Sequence, residues 1–315
     1  MKTNFNTHFR QLSICLLSIA LTACSSLQAE ELVPLKKIVS GDNYGKFNDQ
    51  GQERTYYAYM PKSAGSDRKM PVVLAFHGYG GSGHSMAEVS HFNELAEKQK
   101  FIAVYPDGID HDWFLKGNSK NNLDDVLFTQ ALLNRLQQTA KIDTQRIYAT
   151  GFSKGAILTQ VLACRLPHKI AAFASVAGSI PTRLQSSCQP QNPVSILAIN
   201  GTNDQSVHYQ GDEPSQYRGL ISIPAMVNLW QSYDHCPTAV QDAANANGIP
   251  VKTIHYSGCN AGAEVEHLAV VNGGHFWPGG VSKDPDLNKF NAKINLDASK
   301  EIWNFFQHHT LSSAS

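Results

Sequence analysis

The chain has 315 residues, 42% hydrophobic and 17% charged, with 26 basic and 26 acidic residues and no Pro/Gly/Ser tract long enough to separate one folding unit from another. That composition reads as one large globular domain, and its balanced charge excludes the basic surface that nucleic acid would require.

The N-terminus stands apart. Lys2 and Arg10 precede the apolar stretch LSICLLSIALTA, and no acidic residue occurs before Glu30. Such a segment is a secretion signal and is too short to span a bilayer. Its end, Leu21-Thr22-Ala23-Cys24, resembles the lipobox of bacterial lipoproteins, in which the cysteine is lipidated and becomes the mature N-terminus; an ordinary cleavable signal also ends in small residues. The expected organisation is a signal peptide over 1–23, a lipidated N-terminus and tether over 24–45 with Cys24 as the lipidation site, and a single domain over 46–315. Cleavage before Cys24 removes two basic and no acidic residues, leaving 292 residues at a net charge of −2. The expected location is the bacterial cell envelope, with membrane contact through the lipid alone.

From Arg54 onward, strand-like and helix-like patterns alternate. RTYYAYM alternates like a half-buried strand, whereas PVVLAFHG and FIAVYPDG are continuous apolar runs ending in turn residues, as expected of strands covered on both faces. NNLDDVLFTQALLNRLQQ then places Val126, Leu133 and Leu136 on one helical stripe with Leu132 beside it. Asn121 or Asn122 can cap this helix, and Asp124 and Asp125 suit the positive end of its dipole. RIYAT reads as a strand, Gly155 to Leu166 as a helix, and IAAFASVAG, PVSILAING and HLAVVNGG as further strands. A closing helix from Asp297 to Gln307 aligns Ile302, Phe305 and Phe306. This alternation predicts an α/β fold, a mainly parallel sheet with helices on both faces and ligands at the carboxyl ends of its strands.

With Cys15 in the signal and Cys24 set aside, Cys164, Cys188, Cys236 and Cys259 remain. An even number in an exported chain points to two disulfides, and of three connectivities the favoured one joins Cys164 to Cys188 and Cys236 to Cys259, each closing a loop of just over twenty residues. No CxxC pair favours zinc, and no metal or cofactor is implied.

The chemistry centres on RIYATGFSKGA. Gly151-x-Ser153-x-Gly155 is weak evidence by itself, but here a strand precedes it and a helix follows, with glycines where backbone crowds the turn, as a nucleophile elbow demands. A serine hydroxyl is a poor nucleophile until a histidine held by a carboxylate takes its proton. Asp204 follows the strand PVSILAI and His275 follows HLAVVNGG, which gives the chain order Ser, Asp, His. Among 13 histidines, His208 is too close in sequence to Asp204, His267 begins a strand, and His308 and His309 end the last helix. Asp212 and Asn203 are the alternatives near Asp204. Two backbone N–H groups would serve the oxyanion: that of Lys154, and that of Tyr79 in the loop after VVLAFHG, or of Gly80 or Gly81 if that loop folds differently.

These residues resemble the secreted esterases grouped with feruloyl esterases and polyhydroxybutyrate depolymerases of the α/β-hydrolase fold. The likeness runs from about Arg54 to Gly280 through RTYYAYMP, VYPDGI, LDDVLF, RIYATGFSKGA, NGTND and GGHFWPGG, and YPDG with GGHFWPGG is far more specific than GxSxG. It implies carboxylic-ester hydrolysis, with Ser153, Asp204 and His275 at the triad positions and Tyr79 at the oxyanion position, and it supports the paired cysteines. It also places Trp113, Phe114 and Trp277 around the acyl pocket, where aromatic walls suit a hydroxycinnamoyl ring. Asn200 stands where the family usually has His, and Lys154 where it has a small or uncharged residue.

The leading expectation is therefore a serine esterase acting on soluble small or oligomeric esters, feruloyl-like or hydroxyalkanoate-oligomer-like; no separate polymer-binding domain is apparent. A non-catalytic envelope binding protein on the same scaffold and a serine peptidase are the competing readings. The Lys154 ammonium either snorkels to solvent or faces the cleft to favour substrates bearing a carboxylate.

Overall fold

The computed structural model describes residues 36–62, 68–115, 123–212, 219–237, 239–244, 248–282 and 284–311. Cys24, the expected signal segment, Asn121 and Asn122 lie outside them. The strands are β1 (Gly41–Asp49), β2 (Gln52–Met60), β3 (Met70–Phe76), β4 (Ile102–Pro106), β5 (Ile142–Phe152), β6 (Ala172–Val176), β7 (Ile196–Gly201), β8 (Val240–Ala244), β9 (Val251–Tyr256) and β10 (Val265–Val270). They form one sheet in the order β1-β2-β4-β3-β5-β6-β7-β10-β9-β8. The six inner strands from β4 to β10 run parallel, while β1 and β2 at one edge and β9 and β8 at the other pair antiparallel.

The helices are α1 (Gly83–Ser90), α2 (Phe92–Gln99), α3 (Asp125–Thr139), α4 (Lys154–Arg165), α5 (Ile223–Tyr233), α6 (Pro285–Asn291) and α7 (Ala298–Phe306). Alternation along β3 divides the core. Val72, Leu74 and Phe76 pack on one face with Phe128 and Leu132 of α3, Leu158 and Leu162 of α4 and Trp230 of α5. Val73 and Ala75 point to the other face, toward Phe92 of α2 and Trp303 and Phe306 of α7. A strand residue and its successor face opposite sides, so a run buried at every position demands a helical layer on each face.

Two expectations change at the N-terminal side. The domain begins before residue 46: β1 starts at Gly41, pairing along its length with β2, and Ile38 is buried in the core. Helix α3 is capped by Asp124, whose side chain accepts from the N–H of Val126 at 3.0 Å. Asp125 does not serve the dipole at the surface; its carboxylate is fully buried and paired with Arg54 at 2.7 Å.

Both disulfides are those expected, Cys164–Cys188 and Cys236–Cys259, with 24 and 23 residues of separation. In the chain-entropy view each contributes roughly 3 kcal/mol by restricting the unfolded chain. They fit a protein folded in an oxidising compartment.

Beside the second disulfide, Asp234 ends α5 with no exposure. Its Oδ1 accepts from the N–H of Val194 at 2.9 Å, while Oδ2 has no partner among the described residues. Burial pushes this carboxyl up to about 7, against the opposing pull of the Val194 N–H. The folded protein thus holds a proton there that the unfolded chain, with an ordinary Asp near 4, releases. Stability falls as pH rises between those values and levels off above 7. Asp234→Asn mimics the protonated acid and lacks that slope. Thermal melts of the two proteins should coincide near pH 4 and separate by pH 8, the variant being more stable by on the order of 3 kcal/mol. Parallel Tm curves across that range would show that the carboxyl is not protonated in the fold.

Candidate active site

Ser153 sits between β5 and α4 with φ 55° and ψ −117°, a backbone conformation that L-residues rarely occupy and that persists only where the surroundings enforce it. Close backbone does so here. A Cβ on Gly151 would stand 2.3 Å from the carbonyl oxygen of Gly155, and one on Gly155 would stand 2.2 Å from that of Phe76. Only glycine fits at either position, so the Gly-x-Ser-x-Gly spacing follows from the packing of this turn. The Ser153 N–H donates to the carbonyl of Val176 at the end of β6, and the Ala177 N–H to that of Ile199 within β7, tying the chain after each strand to its neighbour.

The next two loops leave the same edge. Because β7 and β10 are parallel neighbours, the chain after each emerges side by side, with the Asn203 N–H donating to Gly273 and the Thr202 N–H to Val270. This brings Asp204 and His275, 71 residues apart, into a 2.8 Å contact between Oδ2 and Nδ1. Asp204 is 3% exposed, and its other oxygen accepts from the N–H groups of Ser206 at 2.8 Å and Val207 at 2.9 Å. The carboxylate thus closes an Asx turn and faces the imidazole at once. An ionised carboxylate only accepts, so His275 carries its proton on Nδ1 and leaves Nε2 bare as a base. The His275 ring lies 5.0 Å from that of Phe152, the residue preceding Ser153. His208, the rejected alternative, pairs instead with Asp212 at 3.0 Å, and His267 is buried in β10, where burial lowers it to about 4.

Tyr79 and Lys154 border the same turn. Lys154 opens α4, so its N–H has no acceptor within the helix. The N–H of Tyr79 makes no hydrogen bond among the described residues, whereas those of Gly80 and Gly81 donate to His111 and Gly78. Gly80 and Gly81 are therefore spoken for, and Tyr79 supplies the open donor of this loop.

A second loop holds the first in place. The Trp113 indole N–H donates to the His77 carbonyl at 2.7 Å, the Gly108 N–H to His77 Nε2 at 3.0 Å, and His111 Nδ1 to the Gly81 carbonyl at 2.8 Å. Asp107 accepts from the Gly83 N–H at 2.7 Å. His77 is buried, which pushes its imidazole below the usual histidine range, and its Nδ1 is directed at the Gly78 carbonyl. Sequence reasoning singled out YPDG as a family mark but missed His77, Asp107 and His111 as members of this clamp; the signal was the density of turn-forming and polar residues after FIAVYP.

The expected aromatic pocket is corrected. Trp113 and Trp277 are each only 3% exposed, leaving no open ring face for a substrate. Trp113 packs on Phe76 and His77, and Trp277 packs on Phe92 and Phe152 with its indole N–H on Ser299. Phe114, next to Trp113 in the chain, is half-buried. Tyr79, 75% exposed, is the large aromatic side chain presented to solvent at the elbow. Asn200 is internal too, 3% exposed, donating to the Gly178 carbonyl at 3.1 Å. Among the described residues no cluster of His, Cys, Asp or Glu is arranged to hold a metal ion.

A family profile described as phospholipase/carboxylesterase matches residues 62–245. The bifunctional acetylxylan esterase/xylanase XynS20E of Neocallimastix patriciarum is 27% identical over 72% of this chain, which spans 31% of that protein's length. Feruloyl esterase D of Neurospora crassa is 24% identical, with 82% of this chain and 83% of the relative aligned. Poly(3-hydroxyalkanoate) depolymerase C of Paucimonas lemoignei is 29% identical over 77% of this chain and 64% of its own length.

Proposed function

The chain belongs to the phospholipase/carboxylesterase family of α/β-hydrolases, and from that membership we propose that it is an exported serine carboxylic-ester hydrolase. The observation that carries the reading is the Asp204–His275 pair, its imidazole 5.0 Å from the ring of Phe152, which precedes a serine held at φ 55°. Ser153 Oγ attacks the ester carbonyl while His275 Nε2 takes its proton, and Asp204 orients the ring and stabilises the imidazolium. The N–H groups of Tyr79 and Lys154 receive the negative charge that develops on the carbonyl oxygen. His275 returns the proton to the departing alcohol, and water, activated by the same base, releases the acyl group from Ser153.

The substrates are small or oligomeric soluble esters. An aromatic acyl group of feruloyl type is favoured by the exposed Tyr79 ring next to the elbow and by the likeness to feruloyl esterase D. The likeness to a hydroxyalkanoate depolymerase supports hydroxybutyrate oligomers as the second reading. The anchor is a lipid on Cys24, which holds the enzyme at the cell envelope.

Fluorophosphonate labelling of fractionated cells, followed by turnover of methyl ferulate, p-nitrophenyl acetate and hydroxybutyrate oligomers, tests these assignments. Label is expected on Ser153 in the envelope fraction, absent from Ser153→Ala, and moved to the soluble fraction by Cys24→Ser. Methyl ferulate is expected to give the highest kcat/KM. Wild type and Ser153→Ala equally slow on all three esters would sink the esterase reading.

A further inference from the structure

The residue after the nucleophile carries a charge that the oxyanion chemistry does not require, because only its N–H is used. The structure gives that ammonium a partner: Lys154 Nζ lies 2.9 Å from Oδ1 and 3.2 Å from Oδ2 of Asp112, 42 residues away. The Asp112 side chain is 19% exposed and that of Lys154 38%, so the pair is partly desolvated. The ammonium also stands 6.0 Å from the centroid of the Tyr79 ring. Asp112 belongs to the loop that clamps the oxyanion loop through His77, Gly80 and Gly81. It is itself fixed, accepting from the Trp113 N–H at 2.7 Å. Asp110 and His111 just before it hold positive φ of 52° and 59°, a strained course that aims the loop across to the elbow.

The two oxyanion donors therefore come from segments with separate origins, one at the start of α4 and one after β3. We propose that Lys154 and Asp112 are positioning residues whose ion pair links the Ser153 elbow to the loop carrying Tyr79, setting the separation of the two N–H donors. The inference rests on the esterase reading above and deepens it. It also removes the expectation of a free cation: with Asp112 attached, Lys154 presents no net charge to substrate, and the mouth suits neutral esters. A single ion pair that remains partly open to solvent contributes little to folding, so its worth lies in alignment. Donors displaced by a fraction of an ångström bind the substrate carbonyl nearly as before but serve the tetrahedral oxyanion less well.

Steady-state kinetics on a neutral ester test this with Lys154→Ala, Asp112→Asn and the exchanged pair Lys154→Asp/Asp112→Lys. Each single variant should lose roughly tenfold in kcat, a fraction of the 10²–10³ that follows outright loss of an oxyanion donor, with KM within about twofold and Tm nearly unchanged. The exchanged pair should recover most of that loss, and the Lys154→Ala/Asp112→Asn double variant should be no slower than either single one. Unchanged kcat in both singles, or losses that multiply in the double variant, would overturn the proposal. A rise in KM confined to acidic esters would instead assign Lys154 to substrate binding. Wild type and Ser153→Ala assayed in parallel separate the two levels: serine-independent turnover defeats the esterase reading, whereas serine-dependent turnover insensitive to the pair defeats only this one.

Discussion

Ser153→Ala is expected to lower kcat by about 10⁵-fold to 10⁶-fold on any ester the wild type turns over, and His275→Ala to do nearly the same. Without the hydroxyl there is no acyl-enzyme, and without the imidazole nothing takes the proton. Asp204→Asn should cost about 10⁴-fold, because an amide facing Nδ1 can donate and turn the ring to the wrong tautomer. In this protein Asp204 has a second duty, since its other oxygen closes the turn through the N–H groups of Ser206 and Val207. Asp204→Asn keeps an acceptor for that turn, whereas Asp204→Ala removes it and should also lower Tm. The Ser153→Ala/His275→Ala double variant should be no slower than either single one, because the residues act as a unit. Multiplying losses in that cycle, measured by kcat, would show that the two do not work on the same proton.

The elements that carry the site were legible because the physics that forms them is local. A strand buried on both faces must be largely apolar, so β3, β4, β6 and β7 stood out, and the glycines of the elbow are fixed by a clash that any residue with a Cβ would make. The triad order followed from topology. Less legible were the short helices α1 and α2, eight residues each and joined at His91 in a left-handed turn, where too few turns exist for a stripe to show. The antiparallel strands β1 and β9 were missed for a related reason, since each has few fully buried positions and its sequence is correspondingly mixed. The fates of Trp113 and Lys154 depend on partners 36 and 42 residues away, His77 and Asp112, which no periodicity announces. A tryptophan near an active site reads as a pocket wall until its indole N–H is found donating to a backbone carbonyl. Here that bond turns an expected substrate contact into support for the loop that bears Tyr79.

Arg54→Met should be the most damaging single change to stability, about 5 kcal/mol, the upper end for breaking a buried pair. Arg54 and Asp125 have no side-chain exposure and meet at 2.7 Å, with the guanidinium 3.5 Å over the Phe128 ring and an Nη2–H donated to the Asp107 carbonyl. Asp125 in turn accepts from the N–H of Phe114, which places the ion pair beneath the loop that bears Asp112 and Trp113. Burial already pushes the Asp125 carboxyl up, and the Arg54 charge is the chief opposing influence. Methionine restores much of the packing on Phe128 but leaves a carboxylate in the core without a counter-charge. The folded variant then keeps Asp125 protonated while the unfolded chain ionises near 4, so its deficit against wild type should be small at pH 4 and widen as pH rises toward 8. Arg54→Met/Asp125→Asn keeps the acceptor for Phe114 and removes the charge, and should regain at least half of the loss with little dependence on pH. Denaturant melts of the two variants at both pH values decide the matter. A single variant less than about 1 kcal/mol below wild type at pH 8 would mean that Asp125 is already solvated or neutral in the wild-type fold.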